Sequence, residues 1–149
     1  MKILTVLFLL ATLTACQTSD KKTSGITEEA PDSQVALTFL NNYVQSCNAL
    51  QDSDRWIAEN TQLSDAFKTA YKKLVDDARK ADPELGLDFD PIFDAQDYDE
   101  KGYQIASIDE KSGIVELEGV SSPDDRVNIR VKKIGDRTLV DGAGVIRMK

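Results

Sequence analysis

The stretch that decides the fold is YQIASIDEKSGIVELE, residues 103–118, in which hydrophobic and polar residues alternate on both sides of a turn signal. Successive side chains of a β-strand point to opposite faces, so a period of two predicts a strand on each side. Lys111-Ser112-Gly113 lies between the two runs and predicts a turn, because glycine tolerates turn conformations that other residues avoid. The stretch therefore predicts an antiparallel hairpin.

The same period continues towards the C-terminus. Residues 126–132, RVNIRVK, place a β-branched residue at every second position, which predicts a strand with one face in the core. Gly135-Asp136 predicts a hairpin turn, and residues 138–148 predict a last strand that Gly142 and Gly144 loosen. The basic residues of this region are predicted to face water or to pair across strands with Glu116 and Glu118, and an anion site is the alternative. These basic residues are Arg126, Arg130, Lys132 and Lys133.

Upstream of residue 81 the hydrophobic period is that of a helix. Residues 34–50 carry apolar side chains three and four positions apart, which predicts an amphipathic helix. Trp56 and Ile57 mark a short helix, and a third helix is predicted from about residue 61 to residue 81. Helices followed by a run of antiparallel strands predict an α+β fold, a single domain over 34–149 with the helices on one face of the sheet.

The N-terminal residues predict a secreted chain. A basic start precedes an uncharged run over residues 3–15, which is typical of a signal peptide over residues 1–15. Leu13-Thr14-Ala15-Cys16 resembles the lipobox of bacterial lipoproteins, which implies cleavage before Cys16 and a lipid on that residue. Residues 16–33 are polar and predict a tether that holds the domain about 20–25 Å from the lipid. By the same resemblance, Gln17 implies the outer membrane, with the domain facing the periplasm.

Charge and composition exclude several classes of function. Removal of residues 1–15 removes Lys2 and no acid, so the formal charge falls from −8 to −9. Nucleic-acid binding needs a basic surface, so we expect none, and the lipid on Cys16 is the expected membrane contact. The sequence has no histidine, which excludes catalytic triads that use one. Cys47 lies on the apolar face of the first helix and is predicted to be buried.

Residues 81–100, hereafter the acidic segment, hold eight acidic residues and no lysine or arginine, a charge equal to that of the whole chain. Several large apolar residues lie among the acids, which predicts an ordered, packed loop rather than a disordered tail. Such a concentration of charge would favour association with a cationic partner.

Four residues of the acidic segment are the candidate binding residues. Asp88 and Asp90 have the spacing of the first two ligands of an EF-hand loop, but hydrophobic residues follow where the next ligand and the glycine are required. We therefore expect no metal site and no cofactor. Asp90-Pro91 predicts the start of a helix, with Asp94 near its positive end. Asp88 and Asp97 are not explained by local structure. The predicted binding residues, none of them catalytic, are Asp88, Asp94, Gln96 and Asp97.

Residues 90–97, DPIFDAQD, follow a long helix and precede an antiparallel sheet. This order and motif resemble a family of bacterial lipoproteins that carry domain of unknown function 3828. The resemblance covers about residues 34–147. It implies a fold like that of nuclear transport factor 2, a cone of curved antiparallel sheet with helices across its mouth. It implies no activity and no catalytic residues.

Three functional hypotheses follow. The first is a non-catalytic envelope module that binds a protein partner or a small apolar ligand. The second is an immunity or inhibitor protein that presents the acidic segment to a basic surface. The third is an enzyme of the cone fold, with Asp94 or Asp97 as base and Tyr71 or Tyr103 as proton donor. We expect the first, and therefore no enzymatic activity.

Overall fold

The computed structural model describes residues 32–148 of the 149-residue chain. The predicted signal peptide, Cys16 and the predicted tether up to residue 31 lie outside the described residues. Within them, three α-helices come first and four β-strands follow. Their bounds are α1 Gln34–Asn48, α2 Ser53–Glu59, α3 Asp65–Ala81, β1 Tyr103–Asp109, β2 Ile114–Gly119, β3 Arg126–Ile134 and β4 Arg137–Ala143. The fold is α+β, as predicted.

The strands form a four-stranded antiparallel sheet in the order β1-β2-β3-β4. In β3 the side chains of Val127, Ile129 and Val131 are buried and those between them face outward, so the period read from the sequence is confirmed. Arg126 pairs with Glu116 at 3.0 Å and Glu118 at 3.1 Å on β2, as predicted. Register irregularities interrupt the β1–β2 and β3–β4 ladders, and such bulges bend a strand.

Helix α1 packs across one face of the sheet and contacts β1, β3 and β4. Its buried side is lined by Ala36, Phe39, Leu40, Tyr43 and Val44, which recur at three- and four-residue spacing. Burying each large side chain contributes about 1.5–3 kcal/mol relative to exposure. Packing therefore holds most of the helix. At its start the Ser33 side chain makes no capping hydrogen bond, but the Asp32 carboxylate accepts the Gln34 N–H at 2.9 Å.

Helix α3 begins three to four residues later than the sequence suggested, because Ser64 caps it. The Ser64 hydroxyl accepts a hydrogen bond from the Phe67 N–H at 3.0 Å and donates one to Asp141 on β4 at 2.6 Å. Asp141 also contacts Arg147 at 3.2 Å, so one carboxylate ties the start of α3 to the C-terminal residues. Burial alone would raise the pKa of Asp141, but Ser64, Arg147 and Arg130 together lower it.

Three local predictions are wrong. The last strand ends at Ala143 rather than Met148, because Gly144 takes the left-handed conformation (φ 52°) and starts a reversal. That reversal lets the Val145 N–H reach the carbonyl of Pro91 at 3.1 Å, a close approach with no room for a β-carbon at Gly144. Leu50, assigned to the apolar face of α1, is 92% exposed because the helix has already ended. Cys47 is half-buried rather than buried.

Candidate functional site

The acidic segment connects α3 to β1 and, after Ala81 at the end of α3, contains neither a helix nor a strand. Its central turn is closed by the Asp90 N–H on the Ala95 carbonyl at 2.8 Å and by the Asp94 N–H on the Asp90 carbonyl at 2.9 Å. The predicted helix after Pro91 is therefore wrong, because the chain makes one turn and stops. Asp94 stops it by adopting a left-handed conformation with φ 57°.

Asp90 holds this turn against the core. One carboxylate oxygen accepts hydrogen bonds from the N–H groups of Ile92 at 2.8 Å and Phe93 at 3.2 Å, as an N-cap residue would. The other oxygen accepts the hydroxyl of Tyr43 on α1 at 2.6 Å. Burial, and then the nearby Asp90, raise the pKa of Tyr43, which keeps that hydroxyl a donor. Asp90 is thus a structural residue.

Phe93 is the apolar anchor of the same turn. Its ring lies 5.3 Å from that of Tyr43, 4.7 Å from that of Tyr98 and 6.0 Å from that of Tyr103. Ile92 is also fully buried, whereas Phe89 is half-buried. The prediction of an ordered segment packed on the domain is confirmed at Ile92 and Phe93.

Asp99 organises the other end of the segment and is 7% exposed. Its carboxylate accepts backbone N–H groups from Lys101 at 2.9 Å, from Ser122 at 2.9 Å and from Ser121. Burial alone would raise the pKa of Asp99, but these backbone donors outweigh it and lower the pKa. Asp99 therefore fixes the loop between β2 and β3 beside the acidic segment.

The four predicted binding residues are all exposed, and the structure brings them together only in part. The Gln96 side chain donates to the carbonyl of Asp88 at 3.2 Å. Gln96 and Asp97 line a shallow groove of about 480 Å³, which Asp88 and Asp94 do not line. The other residues lining this groove are Ala95, Tyr98, Asp99, Ser122 and Asp125.

Five carboxylates of the acidic segment have no hydrogen-bond or ion-pair partner among residues 32–148, and all five are exposed. They are Glu84, Asp88, Asp94, Asp97 and Glu100. The other three acids of the segment accept backbone N–H groups, including Asp82, which binds those of Glu84 and Leu85 at 3.0 Å. Elsewhere some carboxylates meet cations, as Asp76 meets Lys72 at 2.7 Å, and single exposed ones such as Asp65 and Glu110 also lack a partner within these residues. The segment thus presents unneutralised negative charge on an ordered backbone.

The tyrosines considered as proton donors have other partners. Tyr71 donates to Asp54 at 3.2 Å, and Tyr103 donates to Asp125 at 2.6 Å. Burial raises the pKa of both tyrosines, and the adjacent carboxylates raise it further. Neither tyrosine hydrogen-bonds Asp94 or Asp97. Sequence reasoning missed Asp54 and Asp125, because nothing in the linear order connects them to tyrosines 17 and 22 residues away.

Within residues 32–148, no three acidic, cysteine or histidine side chains are grouped so as to hold a metal ion. The same residues contain no helix with both the length and the apolar character that a membrane crossing requires.

A second groove, which sequence reasoning missed, lies on the helical side. It occupies about 680 Å³ between α1, α2 and the residues that follow each helix. We call it the amide groove after its lining residues, which are Asn42, Gln45, Ser46, Gln51, Trp56, Glu59, Asn60, Thr61 and Gln62. These residues all lie within residues 42–62, but they belong to two helices and the segments that follow them, so no single period or motif groups them.

The chain matches no protein-family model, no curated protein and no solved structure. The resemblance to the bacterial lipoprotein family accordingly stays a prediction.

Proposed function

We propose that this chain is a non-catalytic binding module of the bacterial envelope, whose acidic segment binds a cationic surface of a protein partner. The observation that carries the proposal is the set of five exposed carboxylates without partners, interleaved with three that hold the backbone in place. Unpaired charge raises association rates with a surface of opposite sign.

The ordered backbone supports a role for these charges in recognising a partner, beyond keeping the protein soluble. Asp90, Phe93 and Asp99 fix the segment before any partner arrives, so binding would not have to order the loop. Preorganisation of this kind increases affinity because less conformational entropy is lost.

A protein partner is favoured over a small apolar ligand held between the helices and the sheet. Rings fill the space beneath α1, where Phe39 lies 6.1 Å from Phe67 and Tyr43 lies 5.3 Å from Phe93. A further proposal is that the fold is a cone like that of nuclear transport factor 2. Helices that precede the strands support it, as do the register irregularities in two strand pairs, since bulges curve a sheet.

The proposal places the module on the outer membrane, facing the periplasm, through lipid on Cys16. Several acyl chains on one residue give stable anchoring, whereas a single chain is marginal. We expect the Cys16→Ser protein to be lost from membranes. We also expect it to lose labelling by an alkynyl fatty acid. A Cys16→Ser protein that keeps its label would refute lipidation at this residue.

The binding proposal is tested by capture from the envelope with two charge-matched variants. The triple variant Asp88→Asn, Asp94→Asn, Asp97→Asn removes three unpaired charges, and the control Asp76→Asn, Asp77→Asn, Glu116→Gln removes three paired ones. We expect a partner that the wild type and control retain and the triple variant loses. Its association rate should fall about tenfold between 50 and 500 mM salt. A partner retained by the triple variant, or an association rate independent of salt, would overturn the proposal.

The inhibitor hypothesis is a special case of the binding proposal, and the same capture experiment tests it. If the captured partner is an enzyme or toxin, its activity should fall when the wild-type chain is added and recover with the triple variant. A partner whose activity is unchanged at saturation is bound without being inhibited, which leaves a binding module and removes the inhibitor hypothesis.

A further inference from the structure

The amide groove offers hydrogen-bonding capacity that the protein itself does not use. The side-chain amides of Asn42, Gln45, Gln51 and Gln62 have no partner among residues 32–148. Each amide presents a carbonyl acceptor and an NH₂ group with two donors. By contrast, Asn60 already accepts the Gln62 N–H at 2.7 Å. Four unused carboxamides therefore converge on one concave surface.

The groove is close to electrically neutral, unlike the acidic segment. Its one charged lining residue, Glu59, is paired with Arg55 one helical turn away at 2.9 Å. Among residues 32–148 no lysine or arginine lines it, so this part of the chain gives it none of the donors that anions such as phosphate select. The lining fits a ligand that is polar, uncharged and rich in groups that both donate and accept hydrogen bonds.

Trp56 supplies an aromatic surface at the centre of this region. Its ring is held by Phe39 at 6.0 Å and Tyr43 at 5.2 Å, so the indole is fixed from behind while part of it stays exposed. It lines both the amide groove and an adjoining groove of about 330 Å³. Its indole N–H has no partner within the described residues. An indole combines an apolar body with a polar tip, which suits partly wet recognition surfaces.

We infer that the amide groove binds an uncharged oligosaccharide. Sugar hydroxyls both donate and accept, which matches the carboxamides, and the C–H face of a pyranose ring packs against an indole. Two grooves that share Trp56, Gln51 and Glu59 give room for more than one sugar unit. A peptide is disfavoured, because apart from Trp56 the amide groove has no apolar lining residue to anchor side chains. This site is separate from the acidic segment and independent of the function proposed above.

The only tryptophan of the chain is the one in the groove, so its fluorescence reports binding directly. The experiment uses the full chain purified from membranes in a sugar-free detergent such as lauryldimethylamine oxide. Maltotetraose, cellotetraose and tetra-N-acetylchitotetraose are titrated separately to 10 mM. We expect a saturable change in Trp56 emission with at least one of the three. No saturable change with any of them would overturn the inference.

Two variants distinguish the groove from other surfaces. Gln45→Ala with Gln51→Ala removes two unused amides and should weaken binding about fivefold or more, since each lost hydrogen bond lowers affinity roughly two- to tenfold. Gln96→Ala removes the same chemical group from the acidic segment and should leave affinity unchanged. Equal affinity in wild type and double variant would overturn the inference. So would a neutral Gly-Ser peptide that changes Trp56 emission when none of the sugars does.

Discussion

The acidic segment and the amide groove both present polar side chains without partners among residues 32–148, but they are built in different ways. The acidic segment is contiguous, and its free carboxylates alternate with residues that fix its own backbone. The amide groove depends less on such residues: Asn60 accepts the Gln62 N–H, but helices α1 and α2 hold most of its wall through the core. In the first region structural and free side chains lie next to each other in sequence, whereas in the second they lie on opposite sides of a helix.

The largest expected effect comes from the apolar anchor of the acidic segment. Phe93→Ala should lower the free energy of unfolding by about 3–5 kcal/mol, because it removes a buried ring among three tyrosines. Phe89→Ala is the matched control, and its half-buried ring should cost far less. Urea unfolding of both variants, followed by circular dichroism, checks the difference. Equal losses would mean that the segment is not anchored where the ring contacts place it.

The next effect separates two aspartates four residues apart. Asp90→Asn should cost about 1–3 kcal/mol, because it weakens the bonds to two backbone N–H groups and to the Tyr43 hydroxyl. Asp94→Asn makes the same chemical change at an exposed residue and should stay within about 0.5 kcal/mol. Asparagine also tolerates the left-handed conformation found at Asp94. If both variants lost the same stability, the division into structural and free carboxylates would be wrong.

The contrast between these aspartates also shows what the sequence could reveal. Alternation in β3 predicted its buried face and the pairing of Arg126 with Glu116 and Glu118, because a strand's period is a local property. Asp90-Pro91 predicted capping, and the capping bonds form. The helix itself does not continue, because Asp94 takes a left-handed conformation and the Pro91 carbonyl accepts the N–H of Val145, which is 54 residues away. No sequence pattern within the acidic segment could predict that contact.

The amide groove lay beyond sequence reasoning for a related reason. Asn42 and Gln45 are polar positions of an amphipathic helix and Gln51 follows that helix, so no sequence pattern singles them out. Only the angle between α1 and α2 brings them beside Trp56 and Gln62. Charge was easier to predict than neutral polarity, because eight acids without a base stand out in composition and scattered amides do not.

A smaller effect concerns pH and again separates held carboxylates from free ones. The pKa of Asp99 in the folded protein is lowered, so its contribution to stability is present above the unfolded value of about 3.8 and is lost as pH falls through the lower, folded value. Asp141 acts in the same direction. We expect the unfolding free energy to drop below about pH 4 in the wild type, and less steeply in Asp99→Asn.

Urea unfolding between pH 6 and pH 2.5 checks this prediction, with Asp97→Asn as the control that should follow the wild type. An Asp99→Asn curve parallel to that of the wild type throughout this range would show that the backbone donors around Asp99 do not stabilise its charged form.

The smallest effect on stability is expected for the exposed side chains without partners, which both regions have. The triple variant at Asp88, Asp94 and Asp97, and the double variant at Gln45 and Gln51, should each change the free energy of unfolding by less than about 0.5 kcal/mol. The triple variant should even gain slightly at low salt, because it relieves repulsion among like charges. Urea unfolding at 20 and 300 mM salt measures both. A loss above about 1 kcal/mol in either variant would assign those side chains a structural role. Such a loss would also remove the reason for expecting a ligand there, since a side chain exposed without a partner and neutral to folding is the kind that recognition can use.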